Sequence, residues 1–225
     1  MMRHTPNILT LCNLMSGCFG IVAVMKGSTI PAAYFVWASC VFDFLDGFAA
    51  RILKVSSPIG KELDSLADVV SFGVLPAAVM YQMLSATTDN EYLPYIAFVI
   101  AAFSALRLAI FNIDETQSDS FRGVPTPANA LLLTSLPLLP LSIHNFYTLE
   151  SLVIIAVVTS LLLVSRIELF ALKFKDFVWK NNQMRFTFLA VSVLLLALLQ
   201  VSAIPIVIAL YILMSVIVQV VATKG

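Results

Sequence analysis

The sequence predicts an all-α fold, a polytopic membrane bundle of about eight transmembrane helices. Three observations lead there. Of the 225 residues, 60% are hydrophobic and 12% charged, with a mean hydropathy of +0.97, well above the range of soluble domains. Eight apolar segments, some of them short, recur along the chain, at 8–25, 31–53, 62–85, 92–113, 127–143, 149–172, 186–200 and 203–221. The breaks between them are short and hold prolines, glycines and charges. Net charge is zero, so no broad basic field points to nucleic acid. The chain reads as a single membrane domain, 1–225. It has no internal repeat, Gly-rich phosphate loop or nucleophile elbow.

The first segment opens T-P-N-I-L-T-L-C-N, with Thr5 placed as a cap and Pro6 in the first turn. It lacks a small-residue cleavage site and is expected to be a retained helix. Asn7, Thr10 and Asn13 recur every third residue and form a polar stripe. Gly17 and Gly20 continue it and allow close helix approach. The stripe serves either as helix–helix glue or as a site lining. Cys12, Cys18 and Cys40 lie in apolar sequence and read as packing residues.

The second segment ends D-F-L-D-G-F-A-A-R, residues 43–51. Gly47, Ala49 and Ala50 are small enough to admit a ligand, and Arg51 closes the segment. Ser56, Ser57 and Pro58 make a turn, and Gly60 opens the third segment one turn before Asp64. Gly73 and Pro76 are expected to bend that segment. The fourth ends R-L-A-I-F-N, placing Arg107 in apolar sequence. An Arg there marks a functional site or snorkels to the interface. The acidic part of the following loop reads as solvated; Arg122, Gly123, Pro125 and Pro127 fix the entry to the fifth segment.

Beyond residue 128 the helices read as lipid-facing or as an oligomer interface, so a homodimer is among the expected assemblies. The run 173–185 holds Lys173, Lys175, Lys180 and Arg185 with Phe174, Phe177 and Trp179, suiting contact with anionic headgroups. Ser202 to Pro205 is the break in a C-terminal hairpin. His4 and His144 are isolated and read as incidental. Basic residues lie at the termini, in 51–61, at Arg122 in the 114–125 loop and in 173–185, while the intervening loops hold Asp89, Glu91 and Glu150 with Lys26 their one basic residue. The positive-inside rule then puts both termini and the 51–61 turn in the cytoplasm, as for a bacterial inner-membrane protein.

The chemistry lies at residues 43–68. Asp43 and Asp46 are spaced i, i+3, and Asp64 and Asp68 i, i+4, so each pair shares a helix face. A charged Asp at a membrane helix centre costs roughly 2.5–3.5 kcal/mol on insertion scales, and four together repel. Mg²⁺ or Mn²⁺, as one ion or a pair, offsets both penalties, because hard cations suit carboxylate oxygens.

This stretch resembles the signature of the CDP-alcohol phosphatidyltransferase family, D-x-x-D-G-x-x-A-R-x(8)-G-x-x-x-D-x-x-x-D. Every position is met: Asp43, Asp46, Gly47, Ala50, Arg51, Gly60, Asp64 and Asp68. P-N-I-L-T-L-C-N-L-M-S-G, R-L-A-I-F-N and G-V-P-T-P-A-N-A are similar to the family's phosphatidylserine synthase branch. Ile110 departs from it, standing where a basic residue is frequent. The resemblance implies transfer of a phosphatidyl group from CDP-diacylglycerol to L-serine within membrane lipid. It implies two divalent ions on Asp43, Asp46 and Asp64, with Asp68 both near them and acting as general base. Gly47, Ala50, Arg51, Ser57 and Gly60, with the stripe Asn7, Thr10 and Asn13, would line the CDP-diacylglycerol site. Arg107, Arg122 and Asn112 would receive serine.

Glycerol phosphate or inositol phosphate acceptors are an alternative within the family, but dianions call for more basic residues than Arg107 and Arg122. A divalent-metal transporter is an alternative of another class, though the second half holds no symmetric acidic set. A non-catalytic scaffold would leave the four carboxylates unexplained.

Overall fold

The structure is a computed structural model that describes residues 4–55, 57–114, 121–169 and 179–222. Ten α-helices follow in order among the described residues: α1 (Thr5–Met25), α2 (Thr29–Leu53), α3 (Pro58–Asp68), α4 (Leu75–Ser85), α5 (Val99–Ile113), α6 (Thr126–Ser135), α7 (Leu141–His144), α8 (Leu149–Leu163), α9 (Trp179–Leu199) and α10 (Ala203–Ala222). The fold is the all-α polytopic membrane bundle that the composition predicts. Among the described residues, four stretches are long and apolar enough to cross a membrane: Thr5–Met25, Pro58–Ser85, Leu93–Ile113 and Asn182–Ile217. The last of these contains the expected hairpin, broken at a 3₁₀ turn, Gln200–Ser202.

Several local differences have clear causes. Helix α1 begins at Thr5 itself, and His4 holds the cap position without a side-chain bond. Thr5 is therefore not the cap. The fifth segment stops early, because Pro137 falls in a 3₁₀ turn, Leu136–Leu138, and Pro140 precedes α7. Phe121–Arg122 pairs antiparallel with Glu168–Leu169, a two-residue bridge invisible to helical periodicity. Phe174, Phe177, Lys173 and Lys175 lie outside the described residues.

Between α3 and α4 runs a π-helical stretch, Val69–Val74, where the Leu75 N–H bonds to the Val70 carbonyl. Pro76 has no N–H to offer Phe72 one turn back, and the widened turn absorbs that interruption. The expected disturbance at Gly73 and Pro76 takes this form. The stretch is seated tightly. A Cβ on Gly17 would stand 2.5 Å from Ser71 Oγ, and one on Gly20 would stand 2.5 Å from Leu75 Cδ2.

Helix α4 lies at the centre. Leu75 and Val79, with Phe72 just before them, pack with Val36 of α2 and Ala130 of α6. Ala77, Met80 and Leu84 pack with Ile100, Leu133 and Leu152. Lipid is as apolar as these side chains, so close packing and polar bonds supply the cohesion. Leu194, Leu198 and Leu213 of α9 and α10 remain exposed, as lipid-facing residues should.

Candidate active site

The aspartates come from two helices crossing α1. Asp43 and Asp46 sit near the C-terminal end of α2, and Asp64 and Asp68 on α3. The turn between them is set by Lys54, left-handed at φ 50°, and by Ser57, whose Oγ accepts from the Gly60 N–H at 3.0 Å. Oxygens of Asp43, Asp64 and Asp68 lie within 4.8 Å of one another. Asp46 stands beside this trio, within electrostatic reach of Asp43 and Asp64. It accepts from Thr10 Oγ1 at 2.6 Å.

The polar stripe of α1 is what holds these carboxylates. Asn13 Nδ2 donates to Asp68 Oδ1 at 3.0 Å, and the Asn13 carbonyl accepts from Ser39 and Ser71 hydroxyls at 3.2 and 2.9 Å. Thr10 and Asn13 thus each tie α1 to one acidic pair. Asn7 and Thr10 border a cavity beside the aspartates, whereas Asn13 lies outside its lining and bonds helix to helix.

The trio fits a divalent ion. Asp64 Oδ1 is buried without a hydrogen-bond partner, and buried carboxylate oxygens rarely remain so. Three carboxylates this close need a counter-charge to stay ionised together, and their hard oxygens suit Mg²⁺-type ions.

A cavity of about 750 Å³ opens beside the aspartates. From α1 it takes Asn7 and Thr10, from α2 Asp46, Gly47 and Ala50, and from the turn and α3 Ser57, Gly60 and Asp64. A Cβ on Gly47 would meet nothing within 4 Å, whereas one on Gly60 would crowd Ser57 Oγ at 3.1 Å and Asn7 Oδ1 at 3.3 Å. Arg51 stays outside the lining and donates Nε to the Gly47 carbonyl at 3.0 Å. His4, Lys54 and Lys61 also line the cavity. The lysines carried only topological meaning in the sequence, and His4 looked incidental. Their nearness to the acidic motif was the available signal.

A second cavity, about 350 Å³, gathers Arg107, Arg122 and Arg166 with Asp114. Arg107 is 8% exposed, with an unpartnered Nε, and its guanidinium lies 6.0 Å from the Phe111 ring centroid. It is within electrostatic reach of Asp68. Ile110 lines this cavity too. Asn112 does not join its lining. Its Nδ2 donates to Ser65 Oγ at 2.8 Å and its carbonyl accepts from Lys61 Nζ at 2.7 Å, so it clasps α5 to α3. Sequence reasoning missed Arg166 and Asp114. Arg166 follows apolar sequence much as Arg51 does, which was its only mark.

The profile of the CDP-alcohol phosphatidyltransferase family matches residues 3–162. The chain belongs to that family. This CDP-alcohol phosphatidyltransferase chain is 37% identical over 141 residues to a CDP-diacylglycerol–serine O-phosphatidyltransferase of Helicobacter pylori, covering 62% of the chain and 59% of the relative. A Bacillus subtilis protein of the same description is 34% identical over 139 residues, covering 60% of the chain and 76% of the relative. An archaetidylserine synthase of Methanothermobacter thermautotrophicus is 34% identical over 167 residues, covering 72% of the chain and 68% of the relative. The match thus spans less than two thirds of the Helicobacter relative. Within the family chain, the matched region ends before Arg166 and before α9 and α10.

Proposed function

We propose that this chain is a CDP-diacylglycerol–serine O-phosphatidyltransferase, forming phosphatidylserine and CMP for phospholipid biosynthesis. The observation that carries the reading is a cavity of about 750 Å³ that opens onto Asp46 and Asp64 beside the aspartate trio, with Arg107 of a second, arginine-lined cavity within electrostatic reach of Asp68.

Asp43, Asp46, Asp64 and Asp68 would hold the divalent metal, Mg²⁺ or Mn²⁺, as two ions. When bound, such ions neutralise the diphosphate and the departing CMP charge. Asp68 takes the proton of the serine hydroxyl, a poor nucleophile at neutral pH. Asn13 Nδ2 donates to Asp68 Oδ1 and orients the carboxylate for that role. The serine oxygen bonds to the lipid-side phosphorus, the bond from that phosphorus to the CMP oxygen breaks, and CMP leaves with the electron pair. Gly47, Ala50, Ser57 and Gly60 shape the nucleotide cavity, and Lys54 and Lys61 add positive charge at its wall. Arg107 and Arg122 receive the serine carboxylate, while Asn112 positions α5. The acyl chains stay in the bilayer.

The whole chain acts as one inner-membrane domain with the site and both termini cytoplasmic. The exposed apolar faces of α9 and α10 suit lipid or a second copy, which cross-linking in native membranes separates. The test of function is CMP release from CDP-diacylglycerol by the reconstituted chain, comparing L-serine, glycerol phosphate and inositol phosphate as acceptors. Serine alone should support it. Release driven by either phosphate, or by no acceptor, would overturn the reading.

A further inference from the structure

Three arginines in one cavity would serve a dianionic phosphate as well as an amino acid, so cationic charge alone does not choose the acceptor. Asp114 breaks that tie. It directly follows α5, half-buried, and lines the same cavity as Arg107, Arg122 and Arg166. A carboxylate repels a phosphate dianion, whereas a cavity lined by both signs of charge matches a zwitterion. We propose that Asp114 is a specificity-determining residue that receives the acceptor's ammonium while Arg107 holds its carboxylate. Arg107 supports a built site here, because its Nε lies buried without a partner on the cavity wall.

The cavity so described selects small α-amino acids bearing a hydroxyl and disfavours both phosphorylated polyols and hydroxy acids lacking nitrogen. Arg166, at the exposed rim, adds to the field that draws the carboxylate inward. This inference rests on the transferase reading above and adds the recognition of nitrogen to it.

The experiment compares L-serine with 3-hydroxypropanoate, its analogue without the amino group, in the wild-type chain and in Asp114→Asn and Asp114→Glu. Wild type should prefer serine strongly. Asp114→Asn should raise the serine KM about tenfold or more, with kcat and the CDP-diacylglycerol KM moving far less. Its preference for serine over the analogue should collapse by a similar factor. Asp114→Glu, which keeps the charge, should retain most of the preference and shows whether the position tolerates change. Serine turnover with an unchanged KM and unchanged preference in Asp114→Asn would overturn the assignment while leaving the transferase reading intact. Absence of serine-dependent turnover in wild type would overturn both.

Discussion

Replacing one carboxylate of the trio by an amide removes charge from a site whose ligand oxygens lie within 4.8 Å. Asp43→Asn and Asp64→Asn should therefore each abolish turnover, as should Asp46→Asn beside the trio, and metal titration by calorimetry should show weakened binding. Near wild-type rates would contradict the metal assignment. Asp68→Asn should lower kcat by at least ~10²–10⁴-fold, the usual worth of a general base, while CDP-diacylglycerol still binds in the adjoining cavity, whose lining does not include Asp68. A rate within a few-fold of wild type would send the proton elsewhere. Arg107→Leu should raise the serine KM roughly ten- to hundredfold, as expected for a lost charge-assisted contact. If the CDP-diacylglycerol KM moves instead, Arg107 belongs to the lipid diphosphate. The acidic residues were legible in the sequence because helix spacing alone decides which side chains share a face. Asp114 and Arg166 were not, because only folding brings α5 and the end of α8 to one cavity. Asn112 was placed by its neighbours in sequence, yet its amide bonds Ser65 across a helix interface.

Helix α1 is the element on which the site is built. It buries no charge of its own, yet its stripe bonds both acidic pairs through Thr10 and Asn13. One turn beyond Asn13, Gly17 lets the π-helical stretch approach so closely that a Cβ would meet Ser71 Cα at 2.9 Å. Gly17→Val should cost about 1–3 kcal/mol through overpacking against backbone. It should also lower kcat, because the displacement carries Asn13 away from Asp68. Thermal unfolding in detergent and turnover should fall together; a variant with both unchanged would show that the approach is not needed. The close-approach glycines were legible as a continuation of the stripe. The π-helical form was not, because Pro76 and Gly73 announce a disturbance without fixing which hydrogen-bond register absorbs it.

At the scale of the molecule, composition alone gave the membrane bundle, since no soluble fold keeps such hydropathy through so many segments. The two cavities depend on contacts far apart in sequence and emerge only with the fold. The proposed orientation predicts that a cysteine at Lys54, on the wall of the nucleotide cavity, reacts with an impermeant thiol reagent from the cytoplasmic face alone. Labelling from the opposite face would reverse the topology. The central claim is that carboxylates from α2 and α3 use a divalent ion to pass a phosphatidyl group to serine. Its most direct test is the release of CMP by the purified chain in CDP-diacylglycerol vesicles, with and without serine, before and after chelation. The account predicts serine-dependent release, matched by phosphatidylserine, that chelator abolishes and Mg²⁺ or Mn²⁺ restores. Release that persists in excess chelator, or that ignores serine, would contradict it.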